Sequence, residues 1–180
     1  MREQLKNLTE SDYWVYGISE GDFDHAVDLV KAMIDARTEQ YEREAKQIRE
    51  ENPEDAEDIL DDVGYYRYTD NQYLWQFCLW RLQGLIEAVI AHQLIQVKTS
   101  KKLFGLKAKL EVLMKAGYSI SSDEIDELIL WADLRNALSH APPEQYRPAP
   151  IREEDIIEYQ KFVKSLFCRW QNQKPKRSKA

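Results

Sequence analysis

Cysteine is scarce in this 180-residue chain, and the two present, Cys78 and Cys168, stand far apart in sequence. Two such thiols build neither a disulfide framework nor a zinc quartet, so a reducing, cytoplasmic setting is expected. Long hydrophobic runs are lacking too. The most apolar stretch, Tyr73 to Ile95, is interrupted by Gln76, Arg81, Gln83, Glu87 and His92, and the opening MREQLKNLTESDYW has no apolar signal core. Neither a membrane span nor secretion is expected from these patterns. Glycine and proline, six each, fall mainly at breaks between helical patterns, and there are only three histidines.

What is abundant is helical periodicity and charge. A hydrophobic content of 43% over this length predicts one sizeable core. The net charge of −7 is unevenly placed: residues 39–62 hold eleven acidic and three basic side chains, a net of −8, which leaves the rest of the chain at +1. Lys98, Lys101, Lys102, Lys107, Lys109 and Lys115 form one basic zone opposed only by Glu111, and the tail CRWQNQKPKRSKA forms another. Both can meet phosphates, although basic helix surfaces are more often solvated faces.

The pattern predicts an all-α bundle. After an aromatic lead-in, DYWVYG, a long helix from Gly21 carries Phe23, Ala26, Val27, Val30, Met33 and Ile34, then turns charged as it leaves the core. NPEDAEDILDD has the look of an N-cap with proline at the first helical position, opening a short helix or an acidic excursion. TDNQ, at 69–72, matches a capping box before a central helix that is apolar around most of its circumference, to about Val97. KKLFGLKAKLEVLMKAG ends on a glycine placed like a C-cap, SSDE at 121–124 is another capping box, and REEDIIEYQKFVKSLFCRW closes the bundle with acids first and bases last. Three regions are expected: residues 1–67 as an N-terminal extension packed on the bundle, 68–172 as the bundle, and 173–180 as a basic tail.

The helix opened by SSDE ends in LRNALSHAPP. At 100° per residue, Ile125, Leu128, Ile129 and Ala132 form one apolar stripe, and Leu130, Trp131, Leu134, Ala137 and Leu138 form a second. Burial on two sides is the expectation. Arg135, Asn136, Ser139 and His140 continue the first stripe where another Leu or Ile is expected. Unpaired burial of such groups costs several kcal/mol. Either Arg135 pairs with a carboxylate such as Glu87 or Asp133 while His140 caps the helix, or the quartet lines a cleft. His25 and His92 are better read as edge or core residues, and Trp75, Trp80, Trp131, Trp170 and the YYRY cluster at 65–68 as core or interface rather than base-stacking platforms.

LRNALSH resembles the signature of the HEPN superfamily, R-x(4 to 6)-H near the end of a late helix, frequently with Asn directly after the Arg. Arg135, Asn136 and His140 match it position by position, and the resemblance spans roughly residues 68–172. It implies an all-α bundle of four to five helices, usually a homodimer, whose paired motifs form a metal-independent ribonuclease site of a toxin, a phage-defence effector or an RNA-processing nuclease. In one toxin branch a Tyr two residues after the His is modified by a nucleotidyltransferase partner; here Pro142 stands there, with Tyr146 nearby.

The chemistry follows from the side chains. Metal-free RNA cleavage needs a base for the 2′-OH, an acid for the leaving 5′ oxygen and a cation for the crowded phosphate. An imidazole serves as base or acid near neutrality, and Arg135 is a permanent forked donor. One histidine cannot do both jobs in one step, whereas two copies of His140 can. Asn136 is a candidate to orient the phosphate or the imidazole, with Ser139, Lys101, Lys102 and Lys107 as candidate RNA contacts. No metal or cofactor is required. Two other readings stand beside this one: a non-catalytic interaction module stabilised by Arg135 and His140, and an accessory or antitoxin subunit whose acidic segment covers a basic partner.

Overall fold

The computed structural model describes residues 17–95, 105–140 and 150–173, with His140 described by its backbone only. Most of the lead-in, Lys98, Lys101, Lys102, Pro142, Pro143, Tyr146 and the tail beyond Gln173 lie outside the described residues. Five helices and no strand occur among those described: α1 (Glu20–Glu51), α2 (Ala56–Ala88), α3 (Leu106–Lys115), α4 (Ser122–His140) and α5 (Glu153–Asn172). The protein is an all-α bundle, as its periodicity predicts.

Helices α1 and α2 form a long antiparallel hairpin. The first half of α1 buries Phe23, Ala26, Val27 and Val30, whereas beyond Val30 only Ala45 is buried. Its acidic second half therefore projects from the core with the start of α2, as the change from apolar to charged sequence predicts. Arg37 pairs with Asp70 across the hairpin, and Arg67 stacks on Tyr41 at 4.7 Å while donating to Thr38.

The sequence places a helix start at TDNQ, and here the structure differs: α2 passes through it unbroken. A capping box needs its first residue extended and its fourth side chain turned back. Instead the Thr69 hydroxyl donates to the Tyr65 carbonyl one turn earlier, and the Gln72 amide both donates to and accepts from the backbone of Ile151, 79 positions away. Tertiary bonding has taken the groups that a cap would use. At its far end α2 widens into a π-helical turn, Val89–Leu94, which begins two residues after the ion-paired Glu87.

Other boundaries fall where expected. In the SSDE box the Ser121 N–H donates to Glu124 at 2.9 Å, and the Glu124 N–H donates to the Ser121 hydroxyl at 3.2 Å. Gly117 ends α3 with φ 92°, a left-handed conformation that lets Tyr118 N–H reach the Leu113 carbonyl. Gly105, expected inside that helix, precedes it with φ 79°. One core unites all five helices, from Phe23 through Leu79, Leu82 and Ile86 to Leu110, Leu113, Leu128, Tyr159, Val163 and Trp170. Polar ties fix the helix ends: Arg169 grips Glu124 with two bonds of 2.8 Å, Trp170 donates to the Ser119 carbonyl, and Lys164 holds Asp24 at 2.7 Å. The first two hold the start of α4 on the end of α5, and the third ties α1 to α5.

Candidate functional site at the end of helix α4

Helix α4 is buried deepest along its first stripe, at Leu128 and Ala132. On the second stripe Trp131, Leu134 and Leu138 pack against the core partly buried, and Leu130 is 66% exposed. The second side is thus covered only in part. Arg135, one heptad after Leu128 on the buried side, is the member of the quartet that this geometry draws inward, with its side chain 29% exposed. Asn136 and Ser139 are exposed. His140 is the last residue of α4.

Four helices meet around Arg135. Its Nη1 donates to Glu87 of α2 at 3.3 Å, and its Nη2 donates to the neighbouring Asn136 Oδ1 at 3.0 Å. Glu87, with 17% of its side chain exposed, also accepts from Lys109 of α3 at 2.5 Å. Tyr159 of α5 lies beneath. Burial first, then the Glu87 charge, pushes its phenol well above the usual tyrosine range, with Arg135 acting in the opposite direction. Its ring lies 4.6 Å from that of Trp131, whose indole N–H donates to Glu127.

One carboxylate thus faces two cations, so the cluster of Glu87, Lys109 and Arg135 carries a net positive charge. Glu87 fixes one branch of the guanidinium and Asn136 the other, which pre-organises a forked donor at a half-open surface. Such a fork suits a phosphate oxygen. A buried polar side chain adjoins the cluster: Gln83, one turn before Glu87, is buried, and neither amide atom makes a well-formed hydrogen bond among the described residues, though it interacts with the Tyr159 phenol.

The candidate residues are brought together only in part. Arg135 and Asn136 touch each other. The Ser139 hydroxyl donates to the Arg135 carbonyl at 2.8 Å and so stays within the helix. Lys107 is exposed and lies about 200° around α3 from Lys109, away from the Glu87 side. Lys101 and Lys102 fall outside the described residues. Lys109 stands in the basic zone of the sequence without being tied to this site, and Tyr159 carries no signal as a site residue, whereas Gln83 and Glu87, spaced i, i+4, are polar interruptions on one side of the most apolar helix.

Among the described residues, the remaining groups do not form a competing centre. His25 is exposed, His92 is partly buried in the π-helical turn, and burial pushes the Cys78 thiol up to about 12. Trp75 and Trp170 are core residues as expected, whereas Tyr65, Tyr66 and Tyr68 are exposed. Among the described residues no cluster of three His, Cys, Asp or Glu is arranged to hold a metal ion, and no helix is long and apolar enough to cross a membrane. In comparisons with known proteins, no family model, no curated protein and no solved structure matches this chain.

Proposed function

We propose that this protein is a metal-independent endoribonuclease of HEPN type, with Arg135, Asn136 and His140 as its reacting and phosphate-binding groups in a dimeric site. The observation that carries this reading is the Arg135 guanidinium, held on both branches at the end of a late helix, half-open to solvent and accompanied by a second cation, Lys109. In the proposed reaction the His140 imidazole of one copy takes the 2′-OH proton. The 2′ oxygen then attacks the phosphorus, and the 5′ oxygen leaves with a proton from the second copy's imidazole. Arg135 stabilises the charge that develops on the non-bridging oxygens. The products are a 2′,3′-cyclic phosphate and a 5′-hydroxyl. Toxin or phage-defence roles, RNA as substrate, and a neighbour-encoded antitoxin or nucleotidyltransferase partner belong to this same reading.

Incubation with RNA in excess EDTA tests it. Products ending in 2′,3′-cyclic phosphate are expected from the wild type and not from His140→Ala. Equal cleavage by that variant ends the proposal.

One observation favours the second reading, a non-catalytic module. The Glu87 carboxylate occupies one branch of Arg135 and also holds Lys109, an arrangement that stabilises a helix junction whether or not phosphate ever binds. A wild-type protein that cuts no RNA, joined to marked destabilisation by Arg135→Ala, supports this module instead.

A further inference from the structure

Two cations share the Glu87 carboxylate, and they hold it unequally. Lys109 Nζ lies 2.5 Å from Oε2, whereas Arg135 Nη1 lies 3.3 Å from Oε1. The lysine is committed to this carboxylate and the arginine is not. Exposure runs the same way, with 18% of the Lys109 side chain open to solvent and 29% of the Arg135 side chain. Lys109 is also firmly placed, since the next residue of α3, Leu110, is buried in the common core. On the inner side of the cluster Gln83 and Tyr159 are 2% and 1% exposed, so bulk water does not screen these charges from below.

A phosphate approaching the end of α4 meets Glu87 as a competitor for Arg135. A carboxylate and a phosphodiester carry the same single charge and accept from the same guanidinium fork. Were Glu87 to close fully on Arg135, the guanidinium would be neutralised and one of its branches filled. The short Lys109 bond instead draws the carboxylate toward α3, and leaves Arg135 with the longer contact on one branch and the neutral Asn136 on the other. Two cations and one carboxylate leave a single positive charge, which one phosphodiester brings to neutrality. Lys107, exposed on the far side of α3, offers no replacement for Lys109.

We propose that Lys109 is a positioning residue: it holds the Glu87 carboxylate, and thereby keeps the Arg135 guanidinium free for an RNA phosphodiester that Lys109 itself does not touch. This role rests on the reading of Arg135 as a phosphate-binding group, and it adds the device that sets the affinity of that group. Without Lys109 the carboxylate closes on Arg135 and competes with phosphate. Without Glu87 nothing competes.

Equilibrium binding of a 2′-O-methyl oligoribonucleotide, which has no hydroxyl to attack, tests the role apart from cleavage. The full chain is compared with Lys109→Met, Glu87→Gln and the double variant, each shown folded by circular dichroism. Lys109→Met is expected to bind about 10-fold more weakly and Glu87→Gln about 10-fold more tightly, the order for one partly screened charge beside the phosphate. The double variant should return close to the wild-type affinity with the wild-type salt dependence, because competitor and holder are both gone. It carries the test by itself where Glu87→Gln alone does not fold. A wild type that binds no oligonucleotide, a Glu87→Gln protein that binds no tighter, or a double variant as weak as Lys109→Met overturns the role. A salt slope lower by about 0.7 in the double variant makes Lys109 a direct phosphate ligand, and overturns it as well. The expected order of affinities in a protein that cuts no RNA leaves the role standing and removes the ribonuclease reading, whereas RNA cleavage joined to any other order removes the role alone.

Discussion

Replacing Glu87 by Gln keeps the shape of the side chain and removes the one negative charge between Lys109 and Arg135. Glu87, Lys109 and Arg135 are 17%, 18% and 29% exposed, so the cluster stands between a surface pair and a buried one. Exposed ion pairs contribute about 0–1 kcal/mol, and breaking a buried pair costs about 3–5 kcal/mol, so a loss of about 2 kcal/mol is expected. For a chain of this size that lowers Tm by roughly 4–8 °C. Urea denaturation reads the free energy, and a cycle with Lys109→Met separates the pair from the packing. The double variant should lose less than the sum of the singles, because one unpaired cation has gone. A Glu87→Gln loss below about 0.5 kcal/mol, typical of an exposed surface site, refutes the view that this carboxylate anchors the cluster.

Three further outcomes follow from the packing. Phe23→Ala, which empties the contact with Phe167 at 5.5 Å, should cost about 3–5 kcal/mol in urea unfolding, because α1 belongs to the common core. A small loss would mean that α1 is only appended. The Arg169 guanidinium beside Glu124 holds its carboxyl below the ordinary value of 4.5. A depressed folded pKa gives stability that is fully present above that value and fades as pH falls through the folded one, so Arg169→Met should flatten the acid side of the stability profile and lower the plateau above it. Gln83→Met should leave stability unchanged or raise it by about 1 kcal/mol, since the buried amide lacks good partners, and an accompanying fall in RNA cleavage would mark Gln83 as a positioning residue.

The fold was legible where local chemistry and tertiary packing agree. Ser121 and Glu124 cap α4 as their spacing dictates, Gly117 closes α3, and the change from apolar to charged in α1 marks where it leaves the core. TDNQ does not open a helix because its Thr and Gln bond elsewhere, Gln72 to a loop 79 positions away that no local window contains. Helix α2 reads as central on composition alone, since periodicity cannot distinguish an apolar side that meets the core from one that meets water. For the site, the wheel put Arg135 on the buried side of α4 and Glu87 among its possible partners. Lys109 reads in the sequence only as one lysine of a basic zone, and only the fold brings it and Tyr159 within reach of Glu87.

Whether the end of α4 cuts RNA is tested most directly by single-turnover cleavage of an RNA oligonucleotide in EDTA, with the DNA of the same sequence alongside. The wild type should cut the RNA and leave the DNA intact, and His140→Ala and Arg135→Ala, each shown folded by circular dichroism, should be slower by about 100-fold or more. A wild type that leaves RNA whole, or variants that cut it at the wild-type rate, would contradict the account.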